Sequence, residues 1–131
     1  MATPKFMMFD AAPKACAPYS HAVEIDRWLW ITGQMPNYPD DASRPLPDGI
    51  EAQTRNVMDN LNIVIAQLGI EIGNVVQSRA FLTDFTRDYA SFNRVYESYF
   101  EPGQLPARTC IGVTALALDA LVEVDYVARR P

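Results

Sequence analysis

Pro106-Ala107-Arg108-Thr109-Cys110-Ile111-Gly112-Val113, followed by Val122-Glu123-Val124-Asp125-Tyr126-Val127, decides how this chain reads. Both stretches are strand patterns, and the second alternates between apolar and polar residues from Val122 to Tyr126. They close a chain in which strand patterns come first, then helix, strand and helix. That order predicts an α+β domain with two helices packed on one face of a sheet. Side-chain parity then assigns Ala107, Thr109, Ile111 and Val113 to one face, and Val122, Val124, Tyr126 and Ala128 likewise. These faces are expected to pack under the helices. Arg108, Cys110, Glu123 and Asp125 would share the opposite face, which no helix is left to cover. A symmetric oligomer would bury part of that face and create clefts between chains, where small ligands bind well.

Working back from there, Pro102-Gly103 stops a helical pattern. Its apolar face carries Tyr89, Phe92, Tyr96, Tyr99 and Phe100, with Arg87, Asp88, Arg94 and Glu97 on the wet side. Thr83-Asp84-Phe85-Thr86 turns the chain into it from a strand spanning Val75 to Leu82. An earlier helix shows Val57, Leu61, Val64, Ile65 and Leu68 at helical spacing. Asp48 and Glu51 read as its capping box, and Gly69 as its left-handed C′ residue. Pro36, Pro39, Pro45 and Pro47 make residues 35–49 a loop. Ala22-Val23-Glu24-Ile25 and Trp28-Leu29-Trp30-Ile31-Thr32 flank Asp26-Arg27 as a hairpin.

The chain has 131 residues, 49% apolar and 21% charged, which suits one globular domain. A net charge of −5 gives no field that draws in nucleic acid or anionic lipid. No apolar stretch is long enough for a membrane span, and the N-terminus shows no secretory pattern. Two cysteines, Cys16 and Cys110, fit a reducing compartment, so the expected location is the cytoplasm.

Arg108 is the sharpest candidate for chemistry. Its guanidinium offers a planar fork that matches a carboxylate's two oxygens, and Pro106 with the small Ala107 leaves room beside it. The competing reading is a cross-strand ion pair with Glu123 or Asp125. Glu123, between two valines, is either solvated or held in a cleft where burial tunes it for proton transfer. Asn93 borders the apolar face of the second helix, and Tyr19 follows a proline in a loop. The lone His21 lacks the spacing of a metal ligand set, and Cys110 has no evident base. No phosphate-cradling glycine loop occurs. The residues alone support an oligomeric α+β domain that binds a small carboxylate.

Several short runs occur in order: Pro18-Tyr19-Ser20-His21-Ala22-Val23, Thr32-Gly33-Gln34-Met35-Pro36, Gln53 with Asn56 and Asn60-Leu61, and Phe81-Leu82-Thr83-Asp84. Phe92-Asn93, Val95-Tyr96 and Phe100 follow, then Pro106-Ala107-Arg108-Thr109-Cys110 and Val122-Glu123-Val124. From about Ala15 to Arg130 the set closely resembles the RidA (YjgF-type) reactive-intermediate deaminase family. Ala17 stands where many relatives have Gly, His21 where Gln is common, Thr32 for a frequent Ser and Asp125 for a frequent second Glu. The usual proline before the last strand is missing.

The resemblance implies a single domain over residues 1–131 with a chorismate-mutase-like fold, a mixed sheet carrying two helices on one face. It also implies a homotrimer with clefts between subunits. The implied reaction is hydrolysis of enamine or imine products of pyridoxal-phosphate enzymes, such as 2-aminoacrylate and 2-iminopropanoate, to 2-oxo acids and ammonia. Arg108 would bind the substrate carboxylate and Glu123 would handle water. Tyr19, Thr32, Gly33, Asn93, Thr109 and Cys110 would line the cleft. No metal or organic cofactor is implied. A deaminase for a larger amino-dienoate or aminoacrylate is an alternative, as is a non-catalytic trimer that binds 2-oxo or amino acids. An endoribonuclease role, attached to some relatives, sits poorly with the acidic charge.

Overall fold

The computed structural model describes residues 2–131. Six strands form one mixed sheet, β1 (Lys5–Met7), β2 (Ala22–Ile25), β3 (Trp28–Gln34), β4 (Val75–Leu82), β5 (Ala107–Gly112) and β6 (Val122–Arg129), in the order β1-β2-β3-β6-β4-β5. Only β4 and β5 run parallel, and α2 (Phe85–Glu97) is the crossover between them. Helix α1 (Ile50–Leu68) lies over β3 and β6, on the same face as α2. The expected α+β architecture is present.

Local chemistry explains most elements. Asp26 and Arg27 both take positive φ, at 51° and 71°, which gives the two-residue turn whose twist matches a hairpin. Gly69 ends α1 in the left-handed region at φ 71°, as expected. The start of α1 is different. Gly49, at φ 84°, precedes Ile50 with no side-chain cap, so Asp48 caps nothing. Gln53 takes over this corner: its Nε2 donates to the Pro47 carbonyl, and its Oε1 accepts from the Leu121 N–H. Glu51 instead pairs with Arg94 of α2.

The core fills the space between helices and sheet. Leu29, Val122, Val124, Leu82, Val57, Leu61, Val64 and Phe92 are fully buried. Truncating one of these, such as Leu61 to Ala, costs about 2–5 kcal/mol. Asp88, expected on the wet side of α2, is also buried. Two hydrogen bonds from Arg87, at 2.8 and 2.9 Å, compensate its carboxylate in the first turn, where the helix favours negative charge.

Polar contacts from α1 and a bulge in β3 shape the open face of the sheet. Asn60 donates to the carbonyls of Met35 and Asn37, and Asn56 to that of Pro36, so α1 clamps the exit of β3. Between Ile31 and Gln34 the register of β3 on β6 shifts, a bulge that lifts Thr32 and Gly33 out of the regular ladder. His21 is buried: its Nδ1 accepts from the Phe9 N–H at 2.9 Å, and its Nε2 lies 2.8 Å from the Pro13 carbonyl. It pins the N-terminal segment to the start of β2.

Candidate functional site

Strand β6 has the expected parity, with Val122, Val124, Tyr126 and Ala128 under the helices and Glu123 and Asp125 on the open face. Strand β5 has the reverse of what its sequence suggests. Its register places Arg108 beside Ser78 and Cys110 beside Ala80, and both β4 residues are buried under the helices. Arg108 and Cys110 therefore face α2, while Thr109 and Ile111 turn to the open face. β5 is the sheet edge, so its apolar side chains are not required in the core, and Ile111 remains 45% exposed. Hydrophobic alternation consequently misidentifies its inward face.

The reversed parity of β5 separates the candidate residues into two clefts. The first surrounds Arg108 and has a volume of about 320 Å³, with Asn93, Tyr96, Glu97, Leu105 and Pro106 in its walls. The Arg108 guanidinium donates to Asn93 Oδ1 at 2.9 Å and to the Tyr89 hydroxyl at 3.3 Å. Its central carbon lies 5.0 Å from the Tyr96 ring centre and 5.7 Å from that of Phe92. Among the described residues no carboxylate forms an ion pair with it. The cross-strand pairing that the sequence left open does not form; Asp125 is held by Arg79 instead. Burial pushes the neighbouring Cys110 thiol up, against a smaller opposing effect of Arg108, so it is not an activated thiolate.

The second cleft opens on the other face of the sheet, with a volume of about 750 Å³. Tyr19, Trp30, Thr32, Gly33, Arg79, Glu123 and Asp125 are among its lining residues. Glu123 is half-buried, and its carboxyl is pushed above the ordinary glutamate range, first by burial and then by the Asp125 charge, with Arg79 opposing. Gly33 is what lets it sit there. A Cβ on Gly33 would overlap the Glu123 carboxylate, so the close approach requires a residue without a side chain. Tyr19 closes one end, its hydroxyl accepting from the Cys16 N–H at 3.2 Å. Burial is the main reason the Tyr19 phenol is also shifted upward.

Tyr19, Thr32, Gly33 and Glu123 are thus together, and Asn93, Arg108 and Cys110 are together, on opposite sides of one sheet. Thr109 lies on the open face, away from the Arg108 side chain. Three residues of the clefts are not evident from sequence. Tyr89 reads as core, yet it is 37% exposed and holds Arg108; its i, i+4 spacing to Asn93 is the available signal. Arg79 and Trp30 carry none, because a strand's open face need not be apolar. Among the described residues no group of three or more His, Cys, Asp or Glu is arranged to hold a metal ion. Among the same described residues no helix is long and apolar enough to cross a membrane.

The sequence profile of the Endoribonuclease L-PSP family matches residues 9–130. The chain belongs to this family, the YjgF/RidA family. Its YjgF/RidA relatives carry varied names. Protein DfrA of Myxococcus xanthus is 41% identical over 122 residues, which cover 91% of this chain and 90% of DfrA. The mouse 2-iminobutanoate/2-iminopropanoate deaminase is 34% identical over 124 residues, covering 95% of this chain and 90% of the mouse protein. Escherichia coli TdcF, solved with bound serine, superposes with a TM-score of 0.88 at 28% identity, covering 97% of this chain and 99% of TdcF. The YjgF/RidA fold expected from the sequence is therefore the fold found.

Proposed function

We propose that this chain hydrolyses small 2-imino acids, and the enamines in equilibrium with them, to 2-oxo acids and ammonia. The observation that carries the proposal is the Arg108 guanidinium, oriented by the neutral oxygens of Asn93 and Tyr89 and in an ion pair with none of the carboxylates of the described residues, Glu97 of the same cleft included. Such a fork fits the carboxylate of an imino acid. Imine carbon is already electrophilic, so the protein need only orient substrate and water and move protons. Water adds across the C=N bond to give a carbinolamine; the C–N bond then breaks, the carbonyl forms and ammonia leaves with the transferred protons. Glu123 takes the proton from the attacking water and returns it to the departing nitrogen. Burial, which pushes this carboxyl above the ordinary glutamate range, makes Glu123 a stronger base than a solvated glutamate.

Arg108 and Glu123 lie on opposite faces of one sheet, so a working cleft combines the Arg108 half of one copy with the Glu123 half of another. The assembly in this reading is a homotrimer with three such clefts. The open face favours it, since Phe6, Trp30 and Ile111 are 69%, 48% and 45% exposed there. Tyr19, Thr32 and Gly33 line the water side; Asn93, Thr109 and Cys110 belong to the strand and helix that bring in Arg108. The free thiols of Cys16 and Cys110 suit the reducing cytoplasm.

The test couples the purified protein to a serine or threonine dehydratase and traps the released imine as its semicarbazone. Wild type suppresses trapping; Arg108→Ala loses that effect by about a hundredfold, the worth of a charged two-pronged contact. The serine bound by the related TdcF favours a second reading, a non-catalytic amino-acid or 2-oxo-acid sensor. No acceleration by wild type, with 2-oxobutanoate still bound, would select that reading.

A further inference from the structure

The cleft around Glu123 contains a second arginine, to which imine hydrolysis as proposed assigns no step. Arg79 on β4 and Asp125 on β6 are cross-strand partners, and Phe81 and Glu123 are the next same-face pair in that register. Arg79 Nε lies 3.1 Å from both Asp125 oxygens, and its Nη2 lies 2.6 Å from Oδ2. The guanidinium carbon is 5.6 Å from the Phe81 ring centre, so the side chain leans along β4 toward the residue opposite Glu123. Asp125 follows Glu123 by two positions, which puts the two residues about 7 Å apart along the strand on one face.

Within one chain the charged and titratable groups facing Glu123 are few, and in the proposed assembly Arg108 of a second copy joins them, unchanged in every variant of the test. Strand β6 supplies Asp125, β4 supplies Arg79, and the segment before β2 supplies Tyr19. β3 presents Gly33 against the carboxylate, and the uncharged Phe81 of β4 stands directly opposite Glu123. An exposed cross-strand ion pair contributes little to stability. This pair differs because the Asp125 side chain is only 14% exposed and would otherwise stand as an unpaired charge beside a second carboxylate. Two neighbouring carboxylates resist ionising together, and a guanidinium clamped on one of them relieves the other.

We propose that Arg79 and Asp125 are positioning residues for the proton chemistry of Glu123: Arg79 neutralises Asp125 and thereby sets the pH range over which Glu123 exchanges its proton. The inference rests on the reading of Glu123 as the group that handles water. Arg79 itself touches no reacting atom.

The experiment uses the full chain in four forms: wild type, Arg79→Leu, Asp125→Asn and the double variant. The Glu123 side-chain carboxyl is followed by ¹³C NMR against pH without substrate, and kcat/KM for imine consumption is profiled over the same range. Removing Arg79 alone raises the Glu123 midpoint and moves the acid limb of the profile to higher pH. Removing Asp125 alone moves both to lower pH, and the double variant returns both toward wild type. Arg79→Lys, which keeps the charge without the fork, retains most of the wild-type midpoint. An unchanged Glu123 midpoint in all variants overturns the inference, even if their rates fall, because that is the behaviour of a purely structural pair. Midpoints that shift while the rate profiles stay fixed remove Glu123 from catalysis, and the proposed role of the pair with it.

Discussion

The clefts around Arg108 and Glu123 lie on opposite faces of one sheet and hold charge in contrasting ways. Arg108 stands on an edge strand, steadied by neutral oxygens of Asn93 and Tyr89 and by aromatic faces, so its positive charge is left for a ligand. Glu123 stands on a central strand, set against Gly33 and half-buried, with a neighbouring acid that is already neutralised by Arg79. In the proposed reading one half attracts a carboxylate and the other handles a proton. On that reading neither suffices alone, and their separation within one chain makes an oligomer part of the proposed chemistry.

The contrast can be broken from either side. The largest effect is expected at Glu123. Glu123→Gln should lower turnover by about a hundredfold or more while ligand affinity stays nearly constant, since general acid–base groups contribute on that scale. Equal losses in both, measured by steady-state kinetics and calorimetric binding of 2-oxobutanoate, would argue against a role confined to water. Gly33→Ala comes next. Its Cβ displaces the Glu123 carboxylate, and a misplacement of that size lowers kcat by roughly tenfold or more without touching the Arg108 half. Asn93→Ala acts on the other cleft. Losing one hydrogen bond to the guanidinium weakens carboxylate binding by about five- to tenfold, seen mainly in KM.

The smallest effect belongs to a control outside both clefts. Arg130 grips Glu24 with two bonds, at 2.9 and 3.0 Å, and that contact holds the Glu24 carboxyl below its ordinary range. A lowered folded-state pKa contributes stability above the unfolded value, which is lost as pH falls through the folded value. Glu24→Gln should therefore cost about 1 kcal/mol or less near neutral pH. The difference should shrink below about pH 4 in denaturant titrations, with imine turnover unchanged.

What the sequence shows of this fold depends on where burial constrains the chain. The hairpin at Asp26-Arg27, β4 and the Gly69 cap are legible because turn chemistry and a buried face leave a pattern. β1 is missed because its three residues are too few to show a period. Asp48 has the right residue type for a cap, but Gly49 turns the chain and Gln53 satisfies the corner from inside the helix. The site is legible as a set of residues and not as an arrangement. The parity of β5 depends on its parallel pairing with β4, which sequence alternation does not reveal for an edge strand. Arg79 is invisible for the same reason: its importance comes from the strand it pairs with, not from its own neighbours in sequence.

The central claim, that each working cleft takes Arg108 from one copy and Glu123 from another, has a direct test. Arg108→Ala and Glu123→Gln chains, each inactive alone, are unfolded together, refolded at equal amounts and assayed by semicarbazone trapping, with mixed assembly verified by native mass spectrometry. Random mixing restores one intact pair in roughly a quarter of the clefts, so about a quarter of the wild-type rate returns. Mixed oligomers that form and remain inactive would contradict the claim.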